Sequence, residues 1–338
     1  MTGLTGAISR RAVLAGAAAA VLGPNRSAHA AADFAGKTIT MVVGFPPGGG
    51  VDTGARVIAR HLPRFLAGNP SVVIQNMPGA GGVASANWLY TKAPKDGLTV
   101  AVPGRDWPLF PLLFGKGGRF EPLEFAYIGS SGAVNTFVWL AKSLGLMTPE
   151  RVKASKKDIV FGGLTPSTQP SMIPKILARE GYPMKAVSGY RGTGAIINAI
   201  EKGEVHAVAT NEASFARRRD LIEKTVRVFQ LLRSKEEIPV MDRFVSDTGK
   251  KLLALSGYAS ATGMPLVAPP QAAPERVDAL RAAFAKMSED KQFGADSDKI
   301  GAPWGKAISG EEIRTILKQS LEAASPDVLK IFREIAVK

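Results

Sequence analysis

Two glycine-rich stretches sit where a chain could grip an anion with bare backbone. "VGFPPGGGVD" (43–52) breaks an apolar run with two prolines and three glycines and ends on an acid. Pro46 and Pro47 hold the chain extended, and Gly48, Gly49 and Gly50 let a ligand approach the main chain. Asp52 or Thr53 is placed to cap the helix that follows. Such a helix start offers unpaired N–H groups and the positive end of its dipole, although a plain strand–helix turn would use the same residues. "QNMPGAGG" (75–82) repeats the device with Pro78, Gly79, Ala80, Gly81 and Gly82. Further on, "FGGLTPSTQ" (161–169) supplies the hydroxyls of Thr165, Ser167 and Thr168, and "GYRGTG" (189–194) supplies Tyr190, Arg191 and Thr193. A guanidinium such as Arg191 suits a carboxylate in bidentate fashion, and equally suits a solvated helix start.

Other chemistries find less support. The first loop lacks the Lys-Ser/Thr pair of a phosphate-binding loop, and its glycines miss the dinucleotide spacing, since Gly54 stands where position 53 is required. There are no cysteines, which excludes disulfides, thiolate metal sites and cysteine nucleophiles. His61 and His206 are far apart and lack metal-ligand spacing, so no metal is expected. "IGSSG" (128–132) has the wrong spacing for a nucleophile elbow. Asp52, or Asp106 in "RDW", is the candidate base of an exported enzyme, but neither has an identifiable partner. Capture without turnover and without a cofactor is the expectation.

Elements that alternate between short apolar runs and helical periodicity must position these loops. "TITMVVGF", "SVVIQN" and "GLTVAVP" read as strands, with helix-like stretches between them. Ala55, Ile58, Leu62 and Phe65 fall on one face of the first helix. "DIVFGG", "MKAVSGY", "EVHAVAT" and "VRVFQLL" continue the pattern, and the end of the chain is helical. Ser309 with Glu312 reads as a capping box, and Ser325-Pro326 as an N-cap followed by proline at the first helical position. Strands alternating with helices imply α/β lobes, each a mainly parallel sheet flanked by helices. The expected division is 33–130 plus 260–338 for the first lobe and 140–252 for the second. Residues 126–142 and 252–268 read as strand-rich and are expected to be the crossover strands of a hinge.

The start of the chain reads as an export signal, residues 1–30. Arg10 and Arg11 precede an apolar stretch too short to span a bilayer, and "SAHA" places a small-x-small cleavage pattern ending at Ala30. Ser9 to Leu14 resembles the twin-arginine motif, and an ordinary secretory signal is the alternative. Losing Arg10, Arg11 and Arg26 takes the formal charge from +14 to +11. The remaining Lys and Arg are interspersed with acids, which reads as a solvated basic surface and not a nucleic-acid groove. No later segment is long and apolar enough for membrane insertion.

"VGFPPGGGVD", "QNMPGAGG" and "APKDGLTV" (93–100), behind an export signal, together resemble the substrate-binding receptors of tripartite tricarboxylate transporters, the TctC or Bug family. Weaker similarity runs through "VSGYRGTGAIINAIEKGEVHA" and "PLVAPPQAAPERVDALRAAF", covering most of 37–290. The resemblance implies a periplasmic, monomeric, two-lobed binding protein of the type II-like Venus-flytrap class that closes on a small organic carboxylate. It implies transient delivery to a two-component membrane permease. One carboxylate would be held by Phe45, Pro46, Gly48, Gly49 and Asp52 and by Pro78, Gly79, Ala80 and Gly81. Thr165, Ser167, Thr168, Tyr190, Arg191 and Thr193 would set specificity, with Ser130, Ser131 and Asn135 as further candidates. His206 stands where the family usually carries Asp, and the match weakens at 237–251 and beyond Ala295. A ligand sensor for a membrane signalling partner is the other receptor reading.

Overall fold

Runs rich in β-branched residues, stopped by glycine or proline, build the strands of this chain. The computed structural model describes residues 33–114, 117–215, 218–300 and 304–337, and the expected signal at 1–30 lies outside them. The chain opens with β1 (Thr38–Val43), α1 (Gly50–His61), β2 (Ser71–Asn76), α2 (Val83–Thr91) and β3 (Thr99–Val102). Helix α3 (Phe110–Phe114) and β4 (Ala126–Ser130) follow. The second unit then runs β5 (Phe137–Ala141), α4 (Pro149–Lys153), β6 (Ile159–Gly162), α5 (Gln169–Arg179) and β7 (Met184–Val187). It ends with α6 (Thr193–Glu201), β8 (Ala207–Thr210), β9 (Thr225–Gln230) and α7 (Asp247–Thr262). The return comprises β10 (Pro265–Ala268), α8 (Pro274–Ser288), α9 (Lys291–Lys299), β11 (Ile308–Ser309), α10 (Gly310–Ala323) and α11 (Pro326–Val337).

Two sheets result, in the orders β11-β4-β10-β3-β1-β2 and β7-β6-β8-β5-β9, which is the expected two-lobed α/β architecture. The sheets are mixed, a departure from the mainly parallel pairing expected. Strands β1, β2 and β3 are parallel, as are β6, β7 and β8. Strands β10, β11 and β5 pair antiparallel with their neighbours. Only strands linked by a crossover helix within one sheet are forced parallel, and β5 and β10 arrive from the other lobe.

The second crossing differs from expectation. Residues 252–262 are helix, the latter part of α7, and only Pro265–Ala268 is strand. Leu252, Leu253, Leu255, Tyr258 and Ala259 are all buried, and an apolar run covered on every side looks the same as strand or helix. Helix α7 packs between α5 of the second lobe and α10 of the return. One apolar core therefore runs from Val42, Trp107 and Tyr127 through Leu252 and Leu253 to Val138, Phe161 and Ile173. The crossings are tied together: Ser130 donates to the Thr262 carbonyl, and the Val134 N–H reaches the Ser260 carbonyl at 2.8 Å. The Ser309–Glu312 capping box is present at the start of α10.

Candidate functional site

Because β1, β2 and β3 run parallel, the loops that follow them emerge at one edge of the first sheet. They converge on the carbonyl of Pro103. A Cβ at Gly44 would lie 2.4 Å from that oxygen, and one at Gly82 only 1.8 Å from it, so no side chain fits at either place. The first loop enters α1 at Gly49, with Gly50 already helical and no side chain capping the helix. Helix α1 thus begins inside the glycine run, earlier than a cap at Asp52 or Thr53 would have it. Asp52 reaches back instead and accepts the Gly48 N–H at 2.8 Å. Its carboxylate also accepts from Arg56 Nε at 2.8 Å, Arg56 Nη2 at 3.0 Å and Asn76 Nδ2 at 2.8 Å. Asn76 donates in turn to the Phe45 carbonyl at 2.9 Å, which ties the first loop to the end of β2. Burial pushes the Asp52 carboxyl up, but the bonds from Arg56, Asn76 and Gly48 together hold it below the usual carboxylate range. Asp52 therefore builds the loop, and its oxygens are spoken for.

The second loop has four consecutive residues at positive φ: Gly79 (151°), Ala80 (47°), Gly81 (66°) and Gly82 (99°). For Ala80 that conformation costs about 1–2 kcal/mol, a local strain of the kind held at ligand-facing loops. Pro78, Gly79 and Ala80 are exposed. Gly81 faces the second lobe, where its added Cβ would lie 3.1 Å from Thr165 Oγ1 and 3.2 Å from Thr168 Cγ2. The loops named from the sequence in the two halves of the chain thus meet face to face.

On the second lobe, Thr168 is the N-cap of α5, but its hydroxyl donates to the Thr165 carbonyl at 2.8 Å and leaves the helix N–H groups uncapped by a side chain. Ser167 Oγ lies 3.4 Å from Thr165 Oγ1. The Tyr190 N–H donates to the Gly163 carbonyl at 3.2 Å, and its ring packs on the second lobe's own core. Arg191 is exposed and forms no ion pair among the described residues, and Thr193 begins α6 behind an uncapping Gly192. Ser130, Ser131 and Asn135 lie elsewhere. Ser131 Oγ accepts the Met264 N–H at 3.2 Å, while Asn135 bonds Gln230 at 2.9 Å and Leu232 at 2.7 Å. With the bond from Ser130 to Thr262, these three tie the hinge to the return and to the second lobe, away from the facing loops.

In the third loop, after β3, the sequence offered Asp106 only as a candidate base and left Arg105 without a role. A Cβ at Gly104 would lie 2.6 Å from the Phe45 ring and 3.7 Å from the Gly81 carbonyl, which sets Arg105 and Asp106 beside both glycine loops. Asp106 lies near the backbone N–H of Gln169, the first residue of α5 on the opposite lobe. Desolvation pushes its carboxyl up to about 6, against the lowering pull of the Arg105 charge and the Gln169 N–H dipole. Arg105 Nη1 is shut off from water and has no hydrogen-bond partner among the described residues. The dipeptide "RD" directly after a strand and glycine was the available signal. The histidines are occupied far from this edge: His61 Nε2 lies 3.0 Å from Asp296, and His206 Nδ1 accepts the Val160 N–H at 3.0 Å. Among the described residues no group of His, Asp or Glu could hold a metal ion.

No family model matches the chain. It is 26% identical over 267 residues to a UPF0065 protein from the tcbD–tcbE intergenic region of Pseudomonas sp. strain P51, covering 76% of this chain and 78% of that one. A shorter match, 43% identical over 76 residues and 22% of each chain, is to BugT of Bordetella pertussis. Among solved structures, the periplasmic binding protein BugD superposes with a TM-score of 0.68 at 19% identity, over 89% of this chain and 98% of BugD. MatC from Rhodopseudomonas palustris, with bound malate, gives 0.65 at 19% identity over 88% and 98%. A second R. palustris protein, with adipate, gives 0.68 at 19% identity over 88% and 99%.

Proposed function

We propose that this chain, which belongs to the Bug (TctC) family of substrate-binding proteins, is a receptor that captures a small organic carboxylate between its lobes and releases it unchanged. One observation carries the reading: uncapped helix starts and glycine loops from both lobes face each other, with Gly81 against Thr165 and Thr168. Fixed N–H dipoles from two sides can replace the water around an anion, and exclusion of water strengthens each contact. Only contacts made across the cleft favour the closed arrangement, because a ligand shifts an equilibrium by its differential affinity for the two states. The malate and adipate held by the similar solved structures support a carboxylate as the cargo class.

In this reading the lobes are 33–130 with 260–338 and 140–252, and they move about the crossings at 126–142 and 252–268. The backbone of Phe45, Pro46, Gly48 and Gly49 and of Pro78 to Gly81 holds one carboxylate. Thr165, Ser167, Thr168, Tyr190, Arg191 and Thr193 vary the other side. The protein works in the periplasm after removal of residues 1–30 and hands its cargo to a membrane permease. The test is a thermal-shift screen of the chain from Ala31 onward against aliphatic, aromatic and amino carboxylates, with every hit recovered and analysed. Stabilisation by one class, returned intact, is expected. A consumed compound would instead make the protein an enzyme.

A further inference from the structure

Arg105 and Asp106 set a cation beside an anion at the meeting point of the lobes, yet no ion pair joins them among the described residues. The Asp106 carboxyl lies beside the Gln169 N–H at the start of α5 in the opposite lobe, not against Arg105 in an ion pair. That leaves Arg105 Nη1 buried without a partner. An unpaired guanidinium N–H withdrawn from water is costly to keep, and the cost is justified where an external acceptor completes it. The place is right for cargo: Gly104, immediately before Arg105, touches Phe45 of the first loop and nears Gly81 of the second. An acid in a carboxylate receptor's cleft would by itself repel the cargo, unless the cargo offers a donor there.

We propose that Arg105 and Asp106 form a dipolar recognition pair, Arg105 taking a carboxylate oxygen of the cargo and Asp106 a hydroxyl or ammonium donor beside it. The cargo is then a hydroxy- or amino-carboxylate and not a plain acid. This rests on the receptor reading above and narrows it.

The experiment uses matched triples that differ in one substituent: propionate, lactate and alanine; succinate, malate and aspartate; phenylpropionate, phenyllactate and phenylalanine. Calorimetry on the wild-type protein is expected to show the hydroxy or amino member of the binding triple preferred by about ten-fold or more over the plain acid. Asp106→Leu should erase that preference. Arg105→Met should weaken the binding triple by about ten- to a hundred-fold, and Arg105→Lys, which keeps the charge without the fork, should fall between. Equal binding of the plain acid, or unchanged affinity in Arg105→Met, overturns the pair while leaving the receptor reading intact. If no triple binds the wild type, the carboxylate receptor reading falls and the specificity falls with it. A ligand-free readout judges Arg105 separately. Removing a cation whose Nη1 is buried without a partner should leave the unfolding midpoint of Arg105→Met at or above that of the wild type, whereas a drop of several degrees would make Arg105 a structural residue.

Discussion

The carboxylate of Asp52 has four N–H donors around it and almost no contact with water, so its ionised form is what holds the first loop to β2. Replacing it by alanine strands the Gly48 and Asn76 donors. We expect Asp52→Ala to cost about 2–4 kcal/mol in urea unfolding and to weaken cargo binding through the displaced loop. The sign with pH follows from a folded pKa held below the usual aspartate range: this stabilisation is present above the unfolded pKa and is lost as pH falls through the depressed folded pKa. Asp106 works in the opposite direction. Its folded pKa of about 6 exceeds the 3.8 of the unfolded chain, so the folded state keeps a proton that the unfolded state has lost. The groups around it are Arg105, the Gln169 N–H and, at longer range, Tyr258. Stability should therefore fall as pH rises from about 4 to about 6, and Asp106→Asn should flatten that slope in denaturant midpoints measured across the range. The family resemblance offers Asp52 as a ligand contact, and an acid after glycines looks the same whether it faces cargo or its own loop. Only the position of Asn76, twenty-four residues away, distinguishes the two.

At the scale of loops and helices, the glycines divide by what surrounds them. Gly82 combines φ of +99° with a missing Cβ that would sit 1.8 Å from the Pro103 carbonyl. Gly82→Ala should cost about 2–4 kcal/mol in thermal unfolding, since the second and third loops would have to separate. Gly49 is a different case, because its Cβ would meet nothing closer than the Pro46 carbonyl at 3.6 Å. Gly49→Val should lose about 1 kcal/mol or less of stability at the helix start, and yet bind cargo at least about ten-fold more weakly. A Gly49→Val protein that binds normally would remove the backbone cradle from the first loop. The glycine loops and the strands before them were legible because proline and glycine punctuate the chain locally. The mixed pairing of the sheets was not, since strand direction depends on which lobe a segment comes from. Helix α7 was misread for a related reason: burial on all sides erases the periodicity that separates helix from strand.

For the whole molecule, the crossings and the facing loops should respond differently to cargo. The Val134 N–H is bonded to Ser260, and the buried side chains of Thr136, Gln169 and Ser260 bond one another across the same region. The facing loops at 79–82 and 165–168 come together at Gly81, with Thr165 and Thr168 opposite it and no hydrogen bond between the two loops among the described residues. Hydrogen exchange followed by mass spectrometry should find the crossing at 131–136 protected with or without cargo, and the facing loops protected only when cargo is bound. Loss of protection at the crossing on cargo release would mean that the lobes part by local unfolding and not by hinge motion.

The amino-acid order by itself determined the two α/β units, the strand–glycine–helix loops and the family resemblance those loops carry, because each depends on residues close together in the chain. Tertiary structure alone decided which polar groups remain free to meet a ligand. Asn76, which locks Asp52, and the partners of Ser130, Ser131 and Asn135 are distant in sequence, whereas Arg105, unremarkable as a letter, is brought between two lobes and left with an unpaired donor. Hydrogen-bond satisfaction is a property of three-dimensional neighbours, and no local pattern records it.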